Sequence, residues 1–405
     1  MKNWLRKSVR AWPTISLLAC AALSAQSELP VPAAAAPAKS PAIALLDPRD
    51  APEWQAWAKE AGWRIVVPAN LSANASLDAR AQALAAAAQE AVKSSGVDPA
   101  RIYIAGRGEA GTAVFYAISR IPDAWAAGLA LGGSLAAALN TDRIFAANFT
   151  NTPVLWVGGA AGDQALAAKL KAAGLNLEWR SPAGLTNAAV FEWLSHQTRD
   201  EFPLTIDCET NSPNFASCYW IHVTKFDPAE RNDVLPSTHL SPGSGAALDL
   251  GGFGFKPDDP GPGVVVSYLA DKYRGPLKMG DRIIELDGKP LENARQYVDL
   301  MAKTTSEKRV IVMIQRGKDR VRLETSIVLP VRDPIVTARV EARYDAETRG
   351  IEIVSRSITE MRVTVPRQWL PANLAWNGLT LEDISQPGCI QLSVDKEILH
   401  AAECH

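Results

Sequence analysis

Short runs of hydrophobic residues alternate with longer stretches of helical character between residues 42 and 202. The hydrophobic runs predict six strands, at 42–46, 64–67, 101–105, 127–131, 154–157 and 177–180. The stretches between them predict helices at 52–61, 76–95, 110–120, 164–173 and 187–199. Alternating strands and helices are typical of a parallel sheet covered on both faces. Ligands of such sheets bind beyond the carboxyl ends of the strands, so the residues that follow each strand are the first candidates for function.

A different pattern, with a period of two, follows residue 202. Residues 203–223 indicate a β-hairpin, and the segments 336–344, 350–355, 361–366 and 390–394 indicate further strands of one sheet system. An isolated hairpin is marginally stable, so the first segment needs the later strands to bury its apolar face. The polar stretch 227–245, rich in Pro and Gly, is interpreted as a linker.

The composition is that of a folded globular protein, with 47% hydrophobic and 21% charged residues. A chain of 405 residues is long enough for roughly two to three domains. The formal net charge is −2. Nucleic-acid binding requires clustered Lys and Arg side chains that neutralise phosphates, and the sequence contains no such cluster. Nucleic acid is therefore excluded as an expected partner.

The N-terminus has the character of a targeting segment. A basic stretch, 1–10, precedes a short apolar stretch, 11–25, that ends in small residues, which predicts a secretory signal peptide over residues 1–27. Two processing modes fit: ordinary cleavage near residues 22–24, or lipidation of Cys20 at the end of the lipobox-like run 17–20. The Ala- and Pro-rich stretch 28–41 is a linker in either case. We expect an exported protein of a Gram-negative-type bacterium, either periplasmic or an outer-membrane lipoprotein that contacts the membrane only through Cys20.

The cysteine count is consistent with an exported protein, because disulfides persist in oxidising compartments. With Cys20 removed or lipidated, four of the five cysteines remain. They are predicted to form two local disulfides, Cys208 with Cys218 and Cys389 with Cys404. The first pair flanks a turn sequence at 211–214 and is expected to face across a hairpin.

A metal site is the alternative for the second pair. His400 and His405 lie close in sequence to Cys404. Because the spacing matches no standard zinc pattern, the disulfide is favoured and no metal site is expected.

Residues 42–202 resemble an α/β-hydrolase of the secreted esterase and peptidase type. The resemblance rests on the order of the elements, on the run 101–106 that leads into a helix, and on the run 153–157 before a loop of small residues. In that family a G-x-S-x-G turn after the third of these strands presents the nucleophilic Ser. Here Gly108 stands at that position. The resemblance therefore implies a hydrolase fold without its nucleophile.

The other catalytic elements of that family are also degenerate. Thr186 stands in the loop expected to carry the base His, and no His precedes His196 in the chain. The oxyanion hole is expected after the first strand, where Asp47 is followed by Pro48, which has no N–H to donate. Only the acid remains, as Asp163. An acid without a base or a nucleophile performs no acyl transfer, so the resemblance implies a catalytically degenerate domain.

The same residues allow other interpretations. Glu109 as a carboxylate nucleophile would still lack a base to hydrolyse the ester intermediate. Ser134 follows a strand outside any elbow motif, and a core or helix-cap role is favoured. The G-x-G-x-x-G pattern at 106–111 matches the dinucleotide fingerprint, but it follows the third strand and no acid for a ribose ends the next one, so no cofactor is expected. The polar residues at this edge are interpreted as a salt-bridged rim in preference to a ligand site: Asp47, Arg107, Glu109 and Asp163.

Residues 246–330 resemble a PDZ domain. The match comprises the G-x-G-F loop 252–255, the Gly-Asp-x-Ile turn 280–283, the Asp-Gly turn 287–288 and the order of the elements. Such domains bind a peptide C-terminus by β-augmentation, with loop N–H groups holding the carboxylate. The resemblance implies three donors and two groove residues of the helix: Phe253, Gly254 and Phe255, with Gln296 and Leu300. Pro257 departs from the family pattern because it offers no N–H and shortens the binding strand.

The β-patterned segments resemble the small β domain that some bacterial hydrolase-like proteins carry after the α/β core, with Tyr219-Trp220 in its hairpin and Asn377-Gly378 near its end. This resemblance implies a β-sandwich-like domain formed by 203–232 and 331–405, into which the PDZ-like domain is inserted. The predicted fold class is therefore multidomain, α/β plus β.

The expected function is that of a non-catalytic, exported scaffold that binds an envelope protein or a peptide C-terminus. The alternative is an esterase or peptidase of the serine-hydrolase fold with an atypical catalytic set.

Overall fold

The computed structural model describes residues 39–404 except for 70, 73, 95, 161, 241–244, 257–258 and 330–335. The predicted signal peptide, Cys20 and most of the linker 28–41 lie outside the described residues, and so does Pro257. In the part of the chain that is described, no helix is long and apolar enough to cross a membrane.

The described residues between 40 and 180 form seven strands: β1 (Ser40–Leu45), β2 (Arg64–Val66), β3 (Val97–Arg107), β4 (Ala127–Leu131), β5 (Ile144–Phe145), β6 (Val154–Val157) and β7 (Leu177–Arg180). All except β5 belong to one parallel sheet with the order β2-β1-β3-β4-β6-β7. The strand order reverses between β1 and β3, which makes the carboxyl ends of these two strands a topological switch point.

Helices cover both faces of this sheet: α1 (Ala51–Ala61), α2 (Leu77–Ser94), α3 (Glu109–Arg120), α4 (Leu135–Leu139), α5 (Asp163–Ala172) and α6 (Asn187–Ser195). Successive strand residues point to opposite faces. Thus Ala44 and Ile104 pack with α2, α3 and α5, whereas Leu45 and Tyr103 pack with α1 and α6. The predicted parallel sheet covered on both faces is confirmed.

Strands β8 (Thr205–Thr210), β9 (Ser217–Cys218), β10 (Ile221–Phe226) and β11 (His239–Leu240) come next. The segment 245–329 then forms β12 (Ala247–Leu248), β13 (Phe253–Gly254), β14 (Val264–Val265), β15 (Tyr268–Leu269), β16 (Arg282–Leu286), β17 (Lys289–Pro290), α7 (Ala294–Lys303), β18 (Lys308–Arg316) and β19 (Asp319–Val328). One sheet has the order β12-β19-β18-β16-β14, with β17 on β16, and β13 pairs separately with β15. Residues of this segment form a hydrophobic cluster of their own.

The last strands are β20 (Ala338–Asp345), β21 (Gly350–Arg356), β22 (Ile358–Val365), β23 (Ala372–Trp376), β24 (Leu379–Ile384), β25 (Gly388–Asp395) and β26 (Ile398–Glu403). They join β8, β9 and β10 in two five-stranded sheets, β24-β23-β21-β20-β8 and β26-β25-β22-β10-β9. One core lies between the two sheets, in which the rings of Trp220 and Tyr344 both pack against Trp369. As expected, the strands near residue 210 bury their apolar face against strands from the end of the chain.

The predicted hairpin around the first disulfide is wrong. Strand β8, which carries Cys208, pairs with β20, whereas β9, which carries Cys218, pairs with β10. The Cys208–Cys218 disulfide, with Cα atoms 6.1 Å apart, therefore links two different sheets. Turn residues between two β-like runs are equally suited to a crossing from one sheet to the other, so local sequence did not distinguish the two arrangements.

The predicted linker 227–245 is anchored over part of its length. Strand β11 pairs with β5 of the N-terminal part, and Thr238 donates from its backbone N–H to the carboxylate of Glu209 at 2.6 Å. The Oγ of Ser237 donates to the same carboxylate. Polar composition indicated a linker, but these polar groups are the partners of a fully buried acid.

Candidate functional site

The sharp turn after β3 occupies the switch point of the parallel sheet. Gly108 has φ +55° and ψ −119°, a conformation in which a side chain is strained. Its N–H donates to the Leu131 carbonyl at 2.7 Å, and its own carbonyl accepts from Thr112 at 3.1 Å. Apart from its own residue and the adjoining backbone, no described atom lies within 4 Å of a Cβ built on Gly108. The turn therefore has the strand-to-helix geometry of a nucleophile elbow but carries only a hydrogen at its tip.

Close backbone packing explains the glycine pattern around this turn. A Cβ on Gly106 would lie 2.3 Å from the Ala110 carbonyl oxygen, and one on Gly111 would lie 3.0 Å from the Leu131 carbonyl oxygen. A Cβ on Gly133 would lie 2.4 Å from the carbonyl carbon of Gly111. The fold needs these glycines so that α3 can approach β3 and β4, and the pattern requires no dinucleotide to account for it.

The polar rim at this edge is built differently from the expectation. Arg107 pairs with Glu53 of α1 at 3.1 Å and lies over the ring of Trp57, 5.7 Å from its centroid. Both partners of the ion pair are about half exposed, so the pair contributes little to stability. The sequence suggested an acid for Arg107 but did not indicate Glu53, because the acid lies on a helix instead of a loop after a strand.

The predicted catalytic positions serve local structure. The Asp163 carboxylate accepts from the N–H of Ala160 at 2.9 Å. The Thr186 hydroxyl caps α6 by accepting from the N–H of Ala189 at 3.2 Å. Asp47 accepts from the Nε of Arg49 at 3.0 Å, and this hydrogen bond lowers the pKa of the Asp47 carboxyl. All three side chains form hydrogen bonds with residues two or three positions away in the chain.

Two other candidates are also used locally. The hydroxyl of Ser134 accepts from the N–H of Ala137 at 3.2 Å and caps α4, in keeping with the helix-cap interpretation. The ring Nδ1 of His196 lies 2.8 Å from the carbonyl oxygen of Glu192, on the exposed side of the last turn of α6.

An apolar groove lies in segment 245–329, between the loop that leads into β13 and helix α7. Its volume is about 450 Å³, within the range of ligand-binding cavities. The strand side is lined by Leu248, Gly252, Phe253 and Phe255, and the helix side by Tyr297, Val298, Met301 and Ala302. Burial raises the pKa of Tyr297 to about 12, so its hydroxyl stays protonated.

Within the part of the chain that is described, β13 pairs only with β15, so the edge that faces this groove has backbone groups available to a ligand. On its other edge, β13 pairs with β15, where the carbonyls of Gly252 and Gly254 accept from Ala270 at 2.8 Å and Ser267 at 2.9 Å. Backbone groups of successive strand residues point to opposite edges. The N–H and C=O of Phe253 therefore point toward the groove, whereas Gly254, a predicted donor, faces β15.

The groove face of α7 differs from the expectation by one to two positions. Gln296 completes the helix start, since its side-chain oxygen accepts from the N–H of Glu292 at 2.7 Å. Neither Gln296 nor Leu300 lines the groove, and Val298 and Ala302 lie there. A shift of one to two residues rotates a position by about 100–200° around a helix, so the predicted face points away from the observed one.

The structure joins both predicted cysteine pairs. Cys389 lies on β25 and Cys404 directly follows the adjacent strand β26, with their Cα atoms 5.6 Å apart. Because Cys404 is bonded to Cys389, it is not available to a metal with His400. No group of three or more metal-binding side chains occurs within the described ranges of the chain. Two disulfides indicate an oxidising environment of the kind that exported proteins meet.

Comparisons with known proteins give no family for this chain. No family model and no curated protein matches it. Parts of the chain are similar to solved structures, which include the esterase PE8 (17% identity, 39% of this chain and 91% of that chain, TM-score 0.29) and a thermostable esterase (19%, 27% and 35%, TM-score 0.21). The HtrA-type protease AlgW, solved with a decapeptide, is 23% identical over 18% of this chain and 23% of its own, with a TM-score of 0.16. The chain thus spans less than a quarter of that protease, and TM-scores this low support no activity.

Proposed function

We propose that the chain is an exported, non-catalytic scaffold of the bacterial envelope that binds peptide C-termini. In this proposal, residues 42–202 are a catalytically degenerate hydrolase-like domain, and 203–232 with 331–405 form a β domain. Residues 246–330 form a PDZ-like domain inserted into that β domain. The ligand is the free C-terminus of an envelope protein or peptide, bound in the groove between β13 and α7.

One observation carries the binding proposal: among the described residues β13 pairs only with β15, and its other edge faces an apolar groove. The groove side of β13 offers the N–H and C=O of Phe253, while Phe255 packs its ring against Tyr297 at 5.4 Å and forms part of the wall. A ligand strand laid along this edge gains main-chain hydrogen bonds, and its apolar side chain enters the groove.

The binding edge is short. Strand β13 has two residues, and the chain turns soon afterwards, where the N–H of Asp259 donates to the Lys256 carbonyl at 3.2 Å. Because antiparallel strands rise by about 3.4 Å per residue, the edge matches only the last few residues of a ligand. The proposal therefore excludes a long strand-like ligand.

The non-catalytic part of the proposal is supported by the local roles of the residues that a hydrolase would use. Gly108 has no nucleophile to offer, and Thr186 caps a helix where the family has its base. A hydrolytic mechanism would need a nucleophile and a proton acceptor within hydrogen-bond reach of each other.

The groove is tested with two matched variants of the full-length mature chain. Val298 and Leu300 are both on α7 and are 39% and 40% exposed, but only Val298 lines the groove. A library of peptides with free C-termini is screened first, and the best ligand is measured by calorimetry. Val298→Arg is expected to weaken its binding at least tenfold, because a long charged side chain obstructs an apolar site.

The control is Leu300→Arg, which adds the same charge at the same exposure and is expected to leave the affinity within about twofold. Amidation of the peptide C-terminus is expected to weaken binding as much as Val298→Arg does. The proposal fails if no peptide of the library binds, or if the two arginine variants have the same affinity.

A further inference from the structure

Tyr273 lies behind the loop that lines the groove. Its hydroxyl donates to the carbonyl of Leu250 and accepts from the N–H of Leu277 at 3.1 Å. Leu250 and Leu277 are both buried, so the two backbone groups depend on the hydroxyl for a partner. One side chain therefore joins the residue before the groove loop to the turn that precedes β16.

Two glycines make room for this tyrosine. A Cβ on Gly251 would lie 2.7 Å from Cε2 of Tyr273, and one on Gly275 would lie 2.2 Å from its hydroxyl oxygen. Gly251 also has φ +79°, a conformation that residues with a side chain rarely adopt. The backbone on both sides of Tyr273 thus reaches its observed path only with glycine at these two positions, against which the tyrosine packs.

The turn that hydrogen-bonds to Tyr273 is anchored to the main sheet of segment 245–329 through Arg316. Arg316, the last residue of β18, donates to the Pro276 carbonyl at 2.8 Å and to the buried carboxylate of Asp281 at 2.7 and 2.9 Å. These bonds fix the turn that contains Leu277, whose N–H donates to Tyr273. A continuous series of hydrogen bonds runs from β18 to the loop beside the ligand edge.

We propose that Tyr273 is a positioning residue for ligand binding. Its hydroxyl fixes the Leu250 carbonyl and thereby holds the loop 251–253 in the path that directs the Phe253 backbone groups into the groove before a ligand arrives. Such preorganisation raises affinity because less backbone freedom is lost on binding. This inference rests on the peptide-binding function proposed above.

Tyr273→Phe tests the inference, since it removes only the hydroxyl and keeps the ring on Gly251. We expect the best library peptide to bind the full-length variant about tenfold more weakly, equivalent to about 1.4 kcal/mol. Hydrogen exchange of the Ser267 and Ala270 amides, which donate to the carbonyls of Gly254 and Gly252, is expected to accelerate. Exchange in α7 and β18 is expected to stay unchanged.

The control is Tyr344→Phe, which removes a buried hydroxyl that donates to the Trp369 carbonyl. This hydroxyl lies in the core between the two five-stranded sheets. It is expected to leave peptide affinity within twofold. The inference is overturned if Tyr273→Phe binds as tightly as the parent chain, or if exchange accelerates equally in α7 and β18. The exchange measurement needs no peptide, so it separates failure of this inference from failure of the proposed function.

Discussion

The side-chain amide of Asn148 pairs with both backbone groups of Glu209, donating to its carbonyl at 2.8 Å and accepting from its N–H at 2.7 Å. Asn148 thus does for the outer edge of β8 what a neighbouring strand would do, and it is buried. The Glu209 side chain is also buried and accepts from Arg356 at 3.1 Å as well as from Ser237 and Thr238. These two residues join the parallel-sheet region to the β-sheets.

Asn148→Ala is expected to lower the free energy of unfolding by about 2–3 kcal/mol, because it leaves both backbone groups of Glu209 buried without a partner. The measurement is urea denaturation followed by tryptophan fluorescence. The matched control is Asn151→Ala, whose exposed amide donates to the Thr205 carbonyl of the same strand at 2.8 Å and whose loss is expected to cost under about 1 kcal/mol. Equal losses in the two variants would contradict the role assigned to Asn148.

The sequence predicted the regular elements well and their junctions poorly. Strands β4, β6 and β7 have the predicted bounds. The first two are buried parallel strands with continuous apolar runs, whereas β7 is an edge strand in which apolar and charged residues alternate. Strand β3 starts four residues earlier than predicted, since Asp98 and Pro99 interrupt its apolar pattern. The Asn148–Glu209 pair joins residues 61 positions apart, and no periodicity in a single sequence indicates such a pair.

In the candidate sites, too, local features were predicted and features that depend on packing were not. Composition and motif order located Gly108 at a sharp turn, because turn glycines are local signals. They did not give the groove face of α7, which depends on how the helix rotates when Tyr297 and Met301 enter the core of the segment. The apolar positions 294, 297, 298 and 301 of α7 recur at helical spacing, and this periodicity is the sequence signal that identifies the face.

Gly108→Ser is expected to produce no esterase activity toward p-nitrophenyl acetate above the buffer rate. The new hydroxyl has room, but Thr186 is engaged in its helix cap and provides no base. The φ of +55° should cost the variant about 1–3 kcal/mol of stability. Gly174→Ser, at φ +103° in open space, is the control for that strain.

Hydrolysis of p-nitrophenyl acetate by Gly108→Ser that is faster than by Gly174→Ser and than in buffer would mean that a base reaches the Gly108 turn from elsewhere in the chain. Turnover in the parent chain that Asp163→Ala or Glu109→Ala abolishes would contradict the non-catalytic proposal directly.

The two disulfides are expected to differ in their contribution to stability. Loss of a native disulfide costs about 2–5 kcal/mol in small exported domains, and the two loops here have similar sequence separations of 10 and 15 residues. Cys208 and Cys218 lie in the core shared by two sheets, whereas Cys389 and Cys404 are partly exposed near the ends of adjacent strands. Replacing the first pair by alanine should therefore lower the melting temperature more, as measured by calorimetry. A larger effect from the second pair would contradict this ranking.

The acid stability of segment 245–329 is expected to depend on Asp281. The hydrogen bonds from Arg316 hold the pKa of this carboxyl below its ordinary value of 3.8. A carboxyl whose pKa is lower in the folded state stabilises the fold fully above its ordinary pKa, and this contribution is lost as the pH falls through the folded value. The parent chain should therefore lose stability in this segment below about pH 4.

Asp281→Asn is expected to remove that dependence and, at neutral pH, to destabilise the segment by about 2 kcal/mol, because a charged hydrogen-bond pair is lost. Amide protection in β16 and β18, corrected for the intrinsic exchange rate, follows the segment between about pH 2.5 and 6, across the acidic range in which carboxyls titrate. Asp345→Asn is the control, since the pKa of that carboxyl is also lowered, mainly by a backbone hydrogen bond from Glu347, but it lies in β20. If protection in β16 and β18 falls with acid equally in the parent chain and in Asp281→Asn, the Arg316–Asp281 pair does not set the acid limit of this segment.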